Sequence, residues 1–468
     1  MKNVVLIMQD HQLFYRHNAV KRPNYDKFAA KSTNFVNART VTPLCCPARR
    51  SILNGLYAHQ HGLYNNGVRS PFTEKTYLDI LRDNGYDNYY FGKWHAGEKE
   101  SSFFGCKGFT PEGYSSPYKH ENYGKYLKKH GLTEDPVAHV EIGLSDTDRF
   151  YSGADVPIRQ IDNLFTLSFG QLMAEDDAHE CFYLANCACE QLEKLKDGKR
   201  PFTLRVDFWG PHQPYFPTQR FLDMYDEKDI ELYPSISDDL KDKPEVYRKE
   251  NALGLNVGGN IILPTAFDEN KWKKMLRYAF AQNTLADYAA GRIVDKVFSL
   301  GMDKDTVIIW SADHGDALCS HGGHVDKDAY MSAEVLHVPL AVYSPDVKGG
   351  VLDARPASNL DIPATILQSA GLKFEDDRPS ESLLSPSRRK YFVSVTHGHF
   401  TKHVALSVEK DGFKYVKNFG DISELYDVNA DKYEMTNLAL LPEYSDVTAK
   451  FERLLADWME KYHFVPYM

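Results

Sequence analysis

The sequence lacks a run of apolar residues long enough to cross a membrane. Its N-terminal apolar stretch, Val4–Met8, spans 5 residues, whereas a spanning helix needs about 20. That stretch is also too short for the core of a secretory signal peptide, and no small-residue cleavage site follows it. We therefore expect a soluble cytoplasmic protein with no membrane partner, although a chain trimmed of a leader would look the same.

Cysteine and positive charge are also scarce. The chain of 468 residues has 7 cysteines, and an odd number in a long chain is not typical of a disulfide framework. Lys and Arg number 55 against 65 Asp and Glu, which gives a formal net charge of -10. That balance disfavours a nucleic-acid partner, but it does not exclude a small anionic substrate, because local charge decides such binding.

What the sequence does contain is material for a large core. Hydrophobic residues make up 43%, and short apolar runs alternate with amphipathic stretches. The predicted strands are Val4–Met8, Asn88–Gly92, Phe202–Trp209, Thr306–Ser311 and Leu340–Tyr343, and the predicted helices are Tyr77–Asn84, Ala178–Lys196, Lys271–Leu300 and Asp361–Gly371. This alternation predicts an α/β fold whose mainly parallel sheet is flanked by helices, over residues 1–371.

The pattern changes in the C-terminal quarter. Shorter predicted strands follow Pro386, at Tyr391–Val395, Val404–Val408 and Lys414–Phe419, and a helix follows at Ser445–Lys461. Their succession predicts a smaller C-terminal α+β subdomain over residues 372–468, with a small antiparallel sheet and a terminal helix. The segment 100–170 is rich in Gly, Tyr and Ser, and we expect it to be irregular.

Polar side chains follow four of the predicted strands. Asp10 and His11 come after the first, Lys93 and His95 after the second, His212 after the third, and Asp313 and His314 after the fourth. Ligands of open parallel sheets bind beyond the carboxyl ends of the strands. We therefore expect these side chains to form one polar site.

Asp10 and Asp313 are natural hard ligands for a metal ion. Taken alone, each is more simply a helix N-cap. Two carboxylates aimed at one point would repel each other and raise a pKa, whereas a divalent cation removes that conflict. With His11 and His314 beside them, metal binding is the better interpretation, and Ca²⁺, Mg²⁺, Mn²⁺ or Zn²⁺ would all suit such a donor set.

The remaining donors suit an anionic substrate. Lys93, His95, His212 and Lys327 would surround a sulfate or phosphate ester. Each residue alone is more simply a solvated charge or a core histidine. Because His95 and His212 both follow strands that end at the same edge of the sheet, we expect them to belong to the site. Lys327 lies on a loop, so this argument supports it less.

Cys45 lies at a transition from loop to helix. Pro47 fits the first helical turn, so Cys45 would sit at the helix N-terminus, where the helix dipole and Arg49 favour a thiolate. A cysteine nucleophile would follow from that position. A buried pair of thiols, Cys45 and Cys46, explains the same residues equally well.

Several segments together resemble the sulfatase family. Cys45-x-Pro47-x-Arg49 is similar to the family signature C-x-P-x-R. Gly92–His95, Pro211–Pro214 and Ser311–Asp316 are similar to later motifs of the family, as is Glu424–Asp427 with Glu434, Asn437 and Leu438. The matches follow the family order over nearly the whole chain, and the resemblance implies an alkaline-phosphatase-like fold.

The resemblance also implies a chemistry. Cys45 would be oxidised to formylglycine by a formylglycine-generating enzyme. One hydroxyl of its hydrate would attack the sulfur and expel the alcohol, and loss of the second hydroxyl's proton would then collapse the hemiacetal, restore the aldehyde and release sulfate. Asp10, His11, Asp313 and His314 would bind one divalent ion, Ca²⁺ by family habit, with Mn²⁺, Mg²⁺ and Zn²⁺ as alternatives. The other roles carried over by position are Arg49 steadying the formylglycine, His95 taking the proton, Lys93, His212 and Lys327 contacting the sulfate or the leaving group, and Asn66 contacting the substrate.

The resemblance leaves two other functions open. His11 stands where Asp, Gln or Asn is usual, and His314 is also found in phosphonate monoester hydrolases of the same superfamily. The first alternative to a sulfatase is therefore a phosphonate monoester or phosphodiester hydrolase acting on a phosphorylated substrate. The second is a catalytically silent binding protein with an unmodified Cys45. The paired Lys93 and His95 favour the sulfatase.

Overall fold

The computed structural model describes residues 1–14, 19–67, 70–111, 116–142, 153–161, 168–251, 255–257, 260–262, 267–327, 329–386 and 389–466. Its strands, numbered in chain order, are β1 (Asn3–Asp10), β2 (Thr33–Phe35), β3 (Ala38–Arg39), β4 (Asp87–Gly92), β5 (Lys107–Phe109), β6 (Val137–Ile142), β7 (Ala154–Pro157), β8 (Phe169–Met173), β9 (Phe202–Pro211), β10 (Leu255–Val257), β11 (Asn260–Ile262), β12 (Thr306–Ala312), β13 (Leu340–Tyr343), β14 (Val351–Asp353), β15 (Ala357–Ser358), β16 (Val393–Gly398), β17 (Lys402–Lys410), β18 (Phe413–Asn418) and β19 (Glu424–Asp427).

The α-helices are numbered in the same way. They are α1 (Pro23–Ala29), α2 (Cys45–Asn54), α3 (Ala58–His61), α4 (Tyr77–Asp83), α5 (Glu121–His130), α6 (Glu180–Leu195), α7 (Gln219–Leu222), α8 (Glu245–Asn251), α9 (Glu269–Ser299), α10 (Ala333–Leu336), α11 (Ile362–Ser369) and α12 (Ser445–Lys461).

The largest sheet is mainly parallel, as predicted. Its eight strands have the order β14-β2-β13-β12-β1-β9-β4-β5. Each neighbouring pair from β12 to β5 is parallel, whereas β13 runs antiparallel to β12 and to β2. The strands β1, β9, β4 and β12 therefore end at one edge of the sheet.

Both faces of β1 are buried, because helices cover the sheet on each side. Val5 and Ile7 belong to a core that includes residues of α6 and α9. Val4, Leu6 and Met8 point the other way, into a core shared with α4 and α11. This double burial explains why β1 is a continuous apolar run rather than an alternation of polar and apolar residues.

A separate antiparallel sheet lies near the C-terminus. Its order is β16-β17-β18-β19, with every neighbouring pair antiparallel. Its core includes Leu406, Tyr415 and the α12 residues Leu455 and Trp458, and it continues to Ala48 of α2. The sheet confirms the predicted change in architecture, while the boundary between residues 371 and 372 stays a prediction.

The prediction of irregular structure over residues 100–170 is wrong for the described part of that segment. The segment contains helix α5 and contributes β6, β7 and the first residues of β8 to a sheet with the order β7-β6-β8. Ala138, Val140, Val156 and Leu172 form a small core under this sheet. The frequent Gly and Tyr residues suggested loops. The segment instead forms short strands in which buried positions alternate with partly exposed ones.

The chain's seven cysteines are all free thiols. Among the described residues, no helix combines the length and the apolar character that crossing a bilayer requires.

Candidate active site

The structure brings the strand-end residues together. Asp10 ends β1, Lys93 and His95 follow β4, His212 follows β9, and Asp313 follows β12. The four strands are parallel neighbours, so their carboxyl ends share one edge. We call the polar residues gathered there the strand-end site.

Arg49 organises the strand-end site. It lies on α2 with no exposed surface, and its Nε donates to Asp313 Oδ2 at 2.8 Å. Its Nη1 donates to Asp207 Oδ2 at 2.8 Å, and its Nη2 lies 3.4 Å from Asp10 Oδ1. Burial alone would lower the pKa of Arg49, but the charges of Asp313, Asp10 and Asp207 raise it above its usual value. The guanidinium thus holds α2 against three strands.

Cys45 begins helix α2 and is 1% exposed. Its Sγ lies 3.1 Å from Nε2 of His314. Burial raises the pKa of the neighbouring Cys46 thiol to about 12, and its electrostatic interaction with Cys45 adds to the effect. Of the two adjacent thiols, Cys45 is the one in contact with the strand-end site.

The site offers a donor set that fits a divalent cation. One donor atom each from Asp10, Cys45, Asp313 and His314 lies within 4.8 Å of the others. Asp10 Oδ1 is buried and has no hydrogen-bond partner among the described residues. His314 Nδ1 lies 2.8 Å from the carbonyl oxygen of Gly315, so Nδ1 donates there and Nε2 is the nitrogen that faces the site. Burial lowers the pKa of His314, but the charges of Asp313 and Cys45 outweigh burial and raise it to about 9, so a bound cation would take the place of the Nε2 proton.

His11 has a different environment from the one expected. Its backbone N–H donates to Asp313 Oδ1 at 3.1 Å, but its ring lies outside the group of four donors. Nε2 of His11 is 3.4 Å from Asp316 Oδ1 and 3.3 Å from Asp326 Oδ1. The imidazole therefore faces these two carboxylates.

Lys93 and His95 line the site from the end of β4. Lys93 Nζ donates to Asp10 Oδ2 at 2.5 Å. Burial raises the pKa of Asp10, but Lys93 and Arg49 outweigh burial and hold it well below its usual range. Burial lowers the pKa of His95 well below its usual value, and the charges of Lys93 and Arg49 lower it further. His95 is thus a neutral imidazole that can accept a proton.

Lys327 and His212 complete the group of predicted polar residues. Lys327 is 3% exposed, and its Nζ lies 2.6 Å from Asp326 Oδ1. Burial lowers the pKa of His212 well below its usual value, against the pull of Asp10. His212 Nδ1 lies 2.5 Å from the carbonyl oxygen of Gln213. Both side chains are close to Asp326, which Lys327 contacts directly and which lies within 4.8 Å of the His212 ring nitrogen.

Asn66 contacts helix α2 rather than a strand end. Its Oδ1 accepts a hydrogen bond from the backbone N–H of Cys46 at 2.9 Å. Asn66 thereby satisfies one of the unpaired donors at the start of the helix that carries Cys45. A contact with substrate stays a prediction.

Sequence reasoning missed two acidic residues of this region, Asp207 and Asp326. Asp207 lies inside β9 and binds both Arg49 and Arg205. Asp326 precedes Lys327 and contacts it. Two charged residues inside a mostly apolar strand, Arg205 and Asp207, were a usable signal, because buried charges need partners. The loop position of Asp326 gave no comparable signal.

The strand-end site combines donors for a cation, buried Lys and Arg side chains and a neutral imidazole. These groups indicate an enzyme that acts on an anionic ester at the edge of an α/β sheet. A family model described as Sulfatase matches residues 2–372, and the chain belongs to the sulfatase family. It is therefore a sulfuric ester hydrolase.

Relatives cover nearly the whole chain. The Escherichia coli K12 protein named "Uncharacterized sulfatase YidJ" is 27% identical over 472 residues, which is 98% of this chain and 87% of that protein. Two solved structures share the fold at 18% identity. The protein BT4656, in complex with its substrate D-glucosamine-2-N,6-O-disulfate, has a TM-score of 0.74 over 99% of this chain and 98% of its own. The phosphonate monoester hydrolase of Agrobacterium radiobacter has a TM-score of 0.78, over 99% and 96%.

Proposed function

We propose that this chain hydrolyses a small sulfated substrate with a formylglycine residue made from Cys45 and one divalent ion bound by Asp10, Asp313 and His314. The observation that carries the proposal is the position of Cys45: its Sγ is 3.1 Å from His314 Nε2, among the donors that fit a cation. An oxygen nucleophile suits a hard divalent ion better than sulfur does. Conversion of Cys45 by a formylglycine-generating enzyme would supply that oxygen.

The bound ion would relieve the repulsion between the carboxylates and stabilise negative charge on the reacting groups. Its identity is open, because carboxylates and one imidazole suit Ca²⁺, Mg²⁺ and Mn²⁺, and Zn²⁺ also accepts them. Ca²⁺ is our first choice.

The chain's own residues would divide the remaining work. Arg49 is fixed by Asp207 and Asp313, so it can hold the modified residue in one orientation. Lys93 is buried beside Asp10 and would donate to an anionic oxygen of the substrate. His95 is held neutral by burial and by nearby cations, and as a neutral imidazole it would be the acceptor of a proton from the modified residue.

The test combines the mass of the Cys45 peptide with metal analysis. Protein made in a host that has the maturation enzyme should give a Cys45 peptide about 18 Da lighter than the thiol form, because the covalent change sets that difference. The same protein should carry a divalent ion and release sulfate. If the Cys45 peptide keeps the full thiol mass and the protein shows no turnover, the proposal is wrong, and a catalytically inactive binding protein becomes the better interpretation.

A second candidate is hydrolysis of a phosphonate monoester or phosphodiester. The fold match to the Agrobacterium enzyme favours it, whereas Lys93 and His95, both within the site, favour the sulfate. Parallel kinetics on an aryl sulfate and an aryl phosphonate ester separate the two. We expect the larger kcat/KM for the sulfate, and a large excess for the phosphonate would reverse the choice.

A further inference from the structure

A three-residue turn joins β16 to β17 and carries two aromatic rings. Gly398 pairs with Lys402 across the hairpin, so the turn consists of residues 399–401. Gly398 has a φ of 75°, and a Cβ placed there would clash with a backbone oxygen across the turn. Glycine allows this close approach, and the tight turn fixes the backbone that carries His399 and Phe400.

The turn is tied to the segment that contacts helix α2. His399 Nδ1 lies 2.8 Å from Asn65 Oδ1, and Asn65 Nδ2 donates to the carbonyl oxygen of His399 at 3.2 Å. The next residue, Asn66, accepts the backbone N–H of Cys46 at 2.9 Å. Two successive asparagines therefore connect the turn to the N-terminus of the helix that begins with Cys45.

His399 is also within electrostatic reach of the strand-end site. Burial lowers the pKa of His399 to about 4, the charge of Lys327 lowers it further, and the charge of Asp326 raises it. The imidazole is therefore neutral near pH 7. Asn65 Nδ2 is the donor to the backbone, so Asn65 Oδ1 is an acceptor and His399 Nδ1 carries the proton. The lone pair of the ring then lies on Nε2, which can accept an O–H group.

Phe400 adds an apolar surface beside this acceptor. It is 63% exposed, and its ring packs on that of His399 with the centroids 4.1 Å apart and the planes at 27°. A single exposed apolar side chain is ordinary on a protein surface. Here it is next to a neutral acceptor and close to a site for an anionic ester, and an apolar surface with a few placed polar groups is typical of a ligand site.

This combination suits a sugar ring better than other organic groups. A sugar has apolar C–H faces that can pack on an aromatic ring, and hydroxyl groups that donate to an acceptor. A quaternary ammonium group also packs on aromatic rings, but the positive charge of Lys327 acts on this turn. A simple aryl group would pack on Phe400 and leave His399 Nε2 without a donor.

We propose that His399 and Phe400 bind the sugar ring of a monosaccharide sulfate whose sulfate group lies in the strand-end site. Phe400 packs on a face of the ring, and His399 Nε2 accepts one of its hydroxyl groups. This inference rests on the proposed function and narrows its substrate from a small sulfated molecule to a sulfated sugar. The two residues determine specificity and take no part in the chemical step.

Binding to the thiol form tests the role of Phe400 without turnover. Protein made in a host without the maturation enzyme keeps Cys45 as a thiol, and calorimetry with Ca²⁺ present gives Kd values for a panel of glucose and galactose monosulfates. We expect at least one of them to bind with a Kd that Phe400→Ala raises about tenfold and Phe400→Trp preserves. The Kd of inorganic sulfate should be the same in all three proteins. The matched control is Phe103→Ala, which truncates another exposed ring, 60% exposed, and should leave every Kd unchanged.

A series of deoxy sugars tests the hydrogen bond to His399. For the sugar sulfate that binds most tightly, one analogue that lacks a single hydroxyl group should bind the wild-type protein about tenfold more weakly. His399→Leu should bind the parent sugar sulfate about as weakly and show no further loss with that analogue, because both changes remove the same hydrogen bond. Circular dichroism confirms that the variants are folded.

Several results would overturn the inference. These are a panel in which no sugar sulfate binds, equal Kd values in the wild-type protein and both Phe400→Ala and His399→Leu, and an effect of Phe400→Ala on choline sulfate or 4-nitrophenyl sulfate alone. A changed oligomeric state of Phe400→Ala with an unchanged Kd would assign the ring to a contact between protein chains instead. Failure of the proposed function looks different: protein with the formylglycine mass at Cys45 would release no sulfate, and the Kd values of the thiol form would stand.

Discussion

Two buried polar regions of this protein differ in how completely their side chains are paired. The first is the strand-end site. The second, which we call the C-terminal network, comprises Lys243, Lys414, Glu424, Tyr426 and Glu434. In the network, Lys414 Nζ donates to both carboxylate oxygens of Glu434, at 2.7 and 2.8 Å, and Tyr426 donates to Glu424 at 2.6 Å.

In the strand-end site, comparable atoms lie within ion-pair distance of one another but form no hydrogen bond. Asp10 Oδ1, Arg49 Nη2 and both ring nitrogens of His11 are buried without a hydrogen-bond partner among the described residues. A buried polar atom without a hydrogen bond costs roughly 1–3 kcal/mol when nothing else compensates it, and here ion-pair contacts at 3.3–3.4 Å compensate only part of that cost. The comparison separates a cluster whose charges are all hydrogen-bonded from one that keeps hydrogen-bonding and coordination capacity for a ligand.

The largest effect should come from Cys45 and should fall on activity. Replacing a nucleophile of a hydrolase lowers kcat on the order of 10⁶-fold in a measured case, so Cys45→Ala should abolish sulfate release. The free energy of unfolding should change little, because one small buried side chain replaces another. The control is Cys46→Ala, which removes the neighbouring buried thiol. Equal losses of kcat/KM in both variants would contradict the special role of Cys45.

The next effect should come from the C-terminal network and should fall on stability. Lys414→Met leaves the Glu434 carboxylate buried without its cation, which costs about 3–5 kcal/mol. Chemical denaturation would measure the loss, and kcat/KM of the folded variant should stay near the wild-type value. The double variant Lys414→Met with Glu434→Leu removes both charges and should regain most of the stability. If it does not, the charges of this network act singly and the comparison fails.

Asp287 extends the comparison to a buried carboxylate with backbone partners. It accepts the backbone N–H groups of Asn24 and Tyr25 in the first turn of α1, at 2.9 and 2.8 Å. Burial raises the pKa of Asp287 to about 6, although these hydrogen bonds oppose it. The folded state therefore holds its proton more tightly than the unfolded state between about pH 4 and pH 6.

Because the folded state binds this proton more tightly than the unfolded state, stability should fall as the pH rises. The contribution of Asp287 to stability should be complete below about pH 4 and should be lost as the pH rises through 6, by roughly 2–3 kcal/mol. Unfolding free energies of the wild-type protein and Asp287→Asn, compared across this range, would measure the loss as a shrinking difference. A constant difference would mean that the hydrogen bonds from α1 offset the burial of this carboxylate.

The sequence predicted the parallel sheet and most of the strand-end site for a physical reason. Strands buried on both faces are continuous apolar runs, and the residues that follow them must lie at one edge of the sheet. Asp10, Lys93 and Asp313 were located in this way. The partners of these residues were not, because Asp207 reaches Arg49 only when β9 packs beside β1.

The environment of His11 could not be read from the sequence either. Its position beside Asp10, and the family resemblance, predicted that it binds the same ion as Asp10, and that assignment stays a prediction. A backbone φ of 58° turns the imidazole toward Asp316 and Asp326 instead. Backbone conformation at a single residue is decided by the surrounding structure and leaves no periodic signal.

The smallest expected effect concerns Asn66, whose Oδ1 accepts from Cys46 N–H at 2.9 Å. Asn66→Ala should lower the free energy of unfolding by about 1 kcal/mol, since a helix N-terminal acceptor is lost, and Asn66→Asp should restore it. Substrate kinetics test whether Asn66 also contacts the substrate. The two N–H groups of the amide Nδ2 suit a sulfate oxygen. The carboxylate introduced by Asn66→Asp would therefore repel the substrate and raise KM several-fold, while the free energy of unfolding stays near the wild-type value. If KM is unchanged in that variant, Asn66 only supports the helix that carries Cys45, and it belongs with the paired, stabilising residues rather than with the strand-end site.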